Sequence, residues 1–137
     1  MSKISGVFSG KTNWQKDAAL PHAPGRVMSL GEIHGPQTCD DPDWQGVTIT
    51  YWGSADLLNG SGPQSGHWVN IHPNGDQDYG VFEGQITTSG GQTTMEGTWK
   101  YTGGTGKFAS IRGGGTYKGH LPSADQVENT WEGEYEL

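Results

Sequence analysis
Apolar and polar positions alternate along most of this chain with the period of a β-strand. In 45–57, QGVTITYWGSADL, the residues Val47, Ile49, Tyr51 and Ala55 share one face, and Thr48, Thr50, Trp52, Ser54 and Asp56 share the other. Segments 26–34, 66–72, 79–87, 93–101, 112–120 and 127–135 read in the same way, and one more strand is expected near 4–10. That makes about eight strands, at the spacing of a sandwich or a barrel. Helical signals are scarce. Only WQKDAAL, 14–20, has a helix former's composition, and PHAPG ends it at once.

The breaks between these segments have turn chemistry. Asn74-Gly75 is the preferred pair of a type I′ hairpin, and Gly90-Gly91 supplies another tight turn. LNGSGPQSG, 58–66, reads as a polar loop, and GPQTCDDPDW, 35–44, as an irregular lid or crossover. A short pattern also recurs, in which an apolar or aromatic residue is followed two positions later by glycine. It appears as Phe8/Gly10, Phe82/Gly84, Met95/Gly97 and Trp131/Gly133. Glycines repeated on strand faces leave room for a large neighbour or a sharply coiled sheet. That favours a small closed barrel, which also removes exposed edges.

Composition narrows the picture further. A chain of 137 residues suits one domain, 1–137. Hydrophobic residues are only 31%, yet there are six Trp and five Tyr, which argues against disorder. The net charge of −7 argues against nucleic acid and against an anionic membrane surface as partners. No apolar run approaches the roughly 18 residues of a transmembrane helix. The opening MSKISGVFSG lacks the apolar core of a signal peptide, and the single cysteine, Cys39, forms no intrachain disulfide. A cytoplasmic location is expected.

The stretch YTGGTGKFASIRGGGTYKG, 101–119, holds a Gly-Lys pair. A phosphate-binding loop would need glycine at 101 and Ser or Thr at 108, where Tyr101 and Phe108 stand. Gly104, Gly106 and Ala109 match a dinucleotide fingerprint, but the glycines at 113–115 make a following helix untenable. The segment reads as a tight turn between two antiparallel strands, with one helical turn near 107–110 and Phe108 plugging one end of the core.

Residues 102–119 of this stretch resemble the signature of the allene oxide cyclase-like barrel superfamily. There a Thr-Gly-Gly-[Ser/Thr]-Gly-x-Phe turn joins two late strands ahead of a short glycine-spaced strand. Dirigent proteins carry a similar turn. Asp78-Tyr79-Gly80 sits at a compatible distance upstream, and weaker similarity extends over 78–136. The resemblance implies an eight-stranded antiparallel barrel, lipocalin-like in shape, with a ligand-sized interior. It also implies homo-oligomerisation and, for the cyclases, isomerisation without a cofactor. Those cyclases use an acidic residue and an asparagine from earlier strands, where no motif aligns, so no catalytic residue carries over. The matched turn marks the fold.

Candidate residues therefore come from strand chemistry. Glu83 inside an apolar barrel would have a raised pKa and could move a proton. Tyr51 could orient a ligand oxygen, and His67 completes the catalytic candidates. Against each stands a plainer reading, as a solvated strand residue or a core tyrosine. Trp68, Asn70, Trp99, Tyr117 and Trp131 are ligand-binding candidates, and Arg112 could grip a ligand carboxylate or simply form a surface salt bridge. His34, His67 and Glu83 would have to be brought together by the strands. His67 and His72 point to opposite faces, so they make no metal pair. CDDPD, 39–43, and DQD, 76–78, lack the spaced ligands of a calcium loop. No cofactor is expected. Three functions follow: a cofactor-free isomerase or cyclase acting on a small hydrophobic molecule, a carrier or sensor of such a molecule, and a filled structural barrel. An ionisable pair in an open cavity would favour the first, an apolar cavity the second.

Overall fold
Side chains of a strand must go to one wall or the other, and in this chain the aromatics and glycines decide which. In the computed structural model, which describes residues 1–137, eight strands close into one antiparallel barrel in chain order. They are β1 (Ser2–Ala19), β2 (Arg26–Cys39), β3 (Thr48–Leu58), β4 (Gly62–Ile71), β5 (Gln77–Ser89), β6 (Gln92–Gly104), β7 (Arg112–Ser123) and β8 (Gln126–Glu136). Each pairs with its sequence neighbours, and β1 closes on β8 through pairs such as Gly6↔Trp131. The expected eight-stranded all-β barrel is therefore the observed fold. No helix is long and apolar enough to cross a membrane.

The glycines make room for the rings. A Cβ on Gly80 would lie 2.7 Å from the Trp68 ring, and one on Gly133 would lie 2.7 Å from the Trp99 ring. A Cβ on Gly84 or Gly97 would lie within 2.8 Å of the Tyr117 hydroxyl. Each of these rings thus lies across a glycine of the adjacent strand or of the strand beyond it. The interior accommodates so many aromatics because these positions carry no side chain.

The two ends differ. At one, the connections after β2, β4 and β6 fold inward as a plug. Trp44 and Phe108 come from short 3₁₀ turns at Pro42–Trp44 and Gly106–Phe108, and both are 1% exposed. Their rings are 5.1 Å apart, with Tyr135 packed against Trp44. Lys107 joins the two turns through a 2.8 Å bond to Asp43. The Gly-Lys stretch is thus a plugging turn, as its sequence predicts. The opposite end is bordered by the hairpins of β1–β2, β3–β4, β5–β6 and β7–β8.

Several local expectations are corrected. WQKDAAL is the end of β1, not a helix: Lys16 pairs with Leu30 and Ala18 with Met28, past a bulge between Thr12 and Trp14. Cross-strand pairing overrides its helical propensity. Gly35–Cys39 continues β2, and only the remainder of 35–44 is irregular. Positive φ at both central positions, which a type I′ turn needs, occurs at Asn59-Gly60 and Gly90-Gly91. In the Asn74-Gly75 turn only Gly75 has positive φ, and Gly75 N–H donates to His72 O at 2.9 Å.

Candidate functional site
Inside the barrel lies a cavity of about 90 Å³, lined by 14 residues of which ten are hydrophobic. That is several times the roughly 10–15 Å³ a water molecule needs. The period of two explains its lining. β3 contributes Ile49 and Tyr51, β4 Gln64, Trp68 and Asn70, and β6 Met95, Trp99 and Tyr101, each on alternate positions. Phe82 of β5, Tyr117 of β7 and Trp131 of β8 complete most of the aromatic wall. The rings meet edge to face: Trp99 lies 5.6 Å from Trp131 and 6.0 Å from Trp68, and Tyr51 lies 5.6 Å from Phe82.

The polar lining consists of carboxamides and phenols. Gln64 Nε2 reaches across the interior and donates to the Tyr117 hydroxyl at 2.7 Å. Trp131 Nε1 donates to Gln37 Oε1 at 2.8 Å, and Gln37 Nε2 donates to Asn70 Oδ1 at 3.1 Å. Asn70 Nδ2 then donates to Asp78 Oδ2 at 2.9 Å. Asp78 has no exposed surface, and its other oxygen accepts from Trp44 Nε1 at 3.2 Å and lies 2.5 Å from His72 Nε2. His72 stacks on Phe108, ring centres 4.3 Å apart. A continuous hydrogen-bonded chain therefore runs from the cavity wall into the plug.

Burial raises the pKa values of the lining phenols. Tyr51 and Tyr101 are held well above the usual tyrosine range by desolvation, and nearby Tyr117 and Asp78 respectively add to it. Tyr117 is pushed up to about 12 by the same cause, partly opposed by its bond from Gln64. All three stay neutral near neutral pH, so each hydroxyl keeps a proton to donate.

Six of the nine site residues expected from sequence line this cavity: Tyr51, Trp68, Asn70, Trp99, Tyr117 and Trp131. Glu83, His67 and Arg112 do not. Phe82 takes the inner face of β5, so Glu83 is exposed on the outer wall, between Ser65 and Thr98. It cannot serve as a carboxylate inside the barrel. His67 stands on the outer wall between Trp52 and Val81, because Trp68 occupies the inner position. Arg112 is also outside and pairs with Glu136. His34 bonds Thr50 on the same outer wall, at 2.8 Å, so the three-residue convergence with His67 and Glu83 does not form in the interior.

Sequence reasoning missed Gln37, Gln64, Asn129 and the Asp78–His72 pair. Asp78 had a legible signal, since it stands two positions before Gly80 on the face that also carries Phe82. The acidic loop 39–43 uses its carboxylates on protein donors: Asp41 caps its own turn and accepts from the Tyr135 hydroxyl at 2.5 Å, and Asp40 accepts from Ser5 N–H at 2.9 Å. Cys39 is pushed up to about 11, first by burial and then by Asp40 and Asp41, the opposite of an activated nucleophile. No three His, Cys, Asp or Glu side chains converge where a metal could sit. No protein-family model matches the chain, and no curated protein matches it in sequence.

Proposed function
We propose that this barrel binds a small, largely apolar molecule in its interior, as a carrier or sensor. The observation that carries the reading is the cavity of about 90 Å³ walled by aromatic rings and four carboxamide side chains. Open volume counts against a filled structural barrel. Rings held by glycine gaps and capped indoles form a rigid wall, so little ordering opposes binding.

A second reading, cofactor-free isomerisation or cyclisation, draws on the Trp131–Gln37–Asn70–Asp78 chain. It fixes the Asn70 amide before any ligand arrives, as a pre-set dipole for developing charge. The cavity would fold a flexible substrate into a reactive conformer. This reading ranks second because the lining holds no carboxylate or imidazole to exchange a proton. The barrel fold agrees with what the resemblance of residues 102–119 implies. Assembly into a homo-oligomer belongs to the same proposal. Trp14 and Trp52, 38% and 37% exposed, flank Glu32 on one outer face, suited to cover by another copy.

Native mass spectrometry of the protein incubated with a panel of hydrophobic metabolites, with chiral chromatography of each recovered compound, tests both readings. Retention without change supports the carrier. Rearrangement at constant mass supports the isomerase. The absence of both retention and change across the panel would count against a ligand-binding interior.

A further inference from the structure
The polar atoms of the cavity indicate which ligand it takes, given the reading that the interior binds one. No Lys, Arg, His, Asp or Glu lines it. A carboxylate or an ammonium entering there would lose its hydration with no opposite charge to replace it. The residue sequence reasoning offered for a ligand carboxylate, Arg112, lies outside and is paired with Glu136.

The protein already places one hydrogen bond on several of the lining acceptors, leaving each a second lone pair. Gln37 Oε1 accepts from Trp131, Asn70 Oδ1 from Gln37, and the Tyr117 oxygen from Gln64. Asn129 Oδ1 is enclosed and unpartnered, wedged over Gly119, 1.6 Å from where a Cβ on that glycine would sit. With its oxygen turned into the wall, Asn129 has its amide nitrogen left for the cavity. Gln64 bonds Tyr117 through its nitrogen alone, which leaves Oε1 free. On the donor side, Tyr51 lines the cavity with its ring set against Phe8 and Phe82, and its hydroxyl makes no hydrogen bond to the protein. The Tyr117 proton and the second amide proton of Gln37 are likewise uncommitted, because each bond above uses one. The cavity is uncharged and offers free hydroxyl and amide donors.

We propose that the interior selects neutral, flat, ring-sized molecules carrying a carbonyl or ether oxygen, and discriminates against carboxylates of the same skeleton. The acceptor oxygen takes up the Tyr51 and Asn129 donors while the ring packs against the aromatic wall. Tyr51 is then a specificity residue of the cavity.

Calorimetric titration with acetophenone, ethylbenzene and benzoate at neutral pH tests this, since the probes share one ring and differ in the polar group. Acetophenone should bind about tenfold more tightly than benzoate and about threefold more tightly than ethylbenzene. In Tyr51→Phe, whose fold is checked by circular dichroism, the acetophenone-to-ethylbenzene preference should shrink while ethylbenzene affinity holds. Benzoate binding as well as acetophenone would overturn the proposal, and so would ethylbenzene equalling acetophenone, with the binding reading intact. An unchanged preference in Tyr51→Phe would remove the role given to Tyr51. No binding of any probe would overturn the proposal together with the reading beneath it.

Discussion
Asn70 Nδ2 donates a 2.9 Å hydrogen bond to Asp78, a carboxylate with no exposed surface. Asn70 lines the cavity, while Asp78 lies in the plug and also gathers Trp44 and His72. One buried carboxylate therefore holds the cavity floor and the barrel's closed end together. Asp78→Ala strands those donors without water or partner and should lower stability by about 3–5 kcal/mol. Asp78→Asn keeps the shape and one acceptor and should cost less. Urea denaturation of both variants measures the difference.

Gly80 shows how the barrel seats its rings. A Cβ there would lie 1.9 Å from the Lys100 carbonyl oxygen as well as against Trp68. Gly80→Ala should cost about 2 kcal/mol or more by overpacking. Gly90 has φ +58° with nothing within 4 Å of an added Cβ, so Gly90→Ala should cost only the backbone penalty of about 1 kcal/mol. Thermal unfolding of the pair should show the interior change to be the worse.

Stability should fall in alkali. Burial raises the pKa values of Tyr51, Tyr101, Tyr117 and Tyr135 above the ordinary 10.0, with Tyr117 and Tyr135 at about 12. Below that ordinary value both folded and unfolded chains are neutral, and the full stability is present. Above it the unfolded chain gains by ionising and the folded chain does not, so stability drops as pH rises from about 10 to about 12. In a Tyr79→Phe variant, which removes the exposed phenol, tyrosinate absorbance and far-ultraviolet circular dichroism should change together in one cooperative step. Non-cooperative phenol titration with the fold intact would count against the buried assignment.

Cys39 should be a slow thiol. With its ionisation pushed up to about 11, thiolate is scarce at neutral pH and increases until pH passes that value. Its reaction with a thiol-specific disulfide reagent should run about tenfold or more below that of free cysteine, and accelerate on unfolding in urea.

The strand segments and closure were legible in the chain because period-two alternation and ring-plus-glycine pairs are local signals. Phe108 as a plug was legible for the same reason, through the turn that carries it. The interior aromatics Trp68, Trp99, Tyr117 and Trp131 followed from bulk. Polarity misled where bulk did not: Glu83 and His67 looked chemical, but each sits one position from a ring that claims the inner face. The end of β1 was missed because its partner, 27–33, sets its conformation from outside the segment. Gln37 and Gln64 act through partners 33 to 94 residues away in sequence, and Asp78 reaches Trp44 34 residues away, relations that local pattern does not carry.

The central claim is that the ligand site is the barrel interior and not the groove on the outer wall that Met28 and Glu83 line. Met95 lines the interior, Met28 lines the groove, and the only other methionine is Met1. The decisive measurement is the nuclear Overhauser effect between acetophenone and isotope-labelled methionine methyls. The account predicts contacts from the acetophenone ring to the Met95 methyl and none to Met28, unchanged in Glu83→Gln and His67→Ala. Contacts to Met28 alone, or none to Met95 at saturating acetophenone, would contradict it.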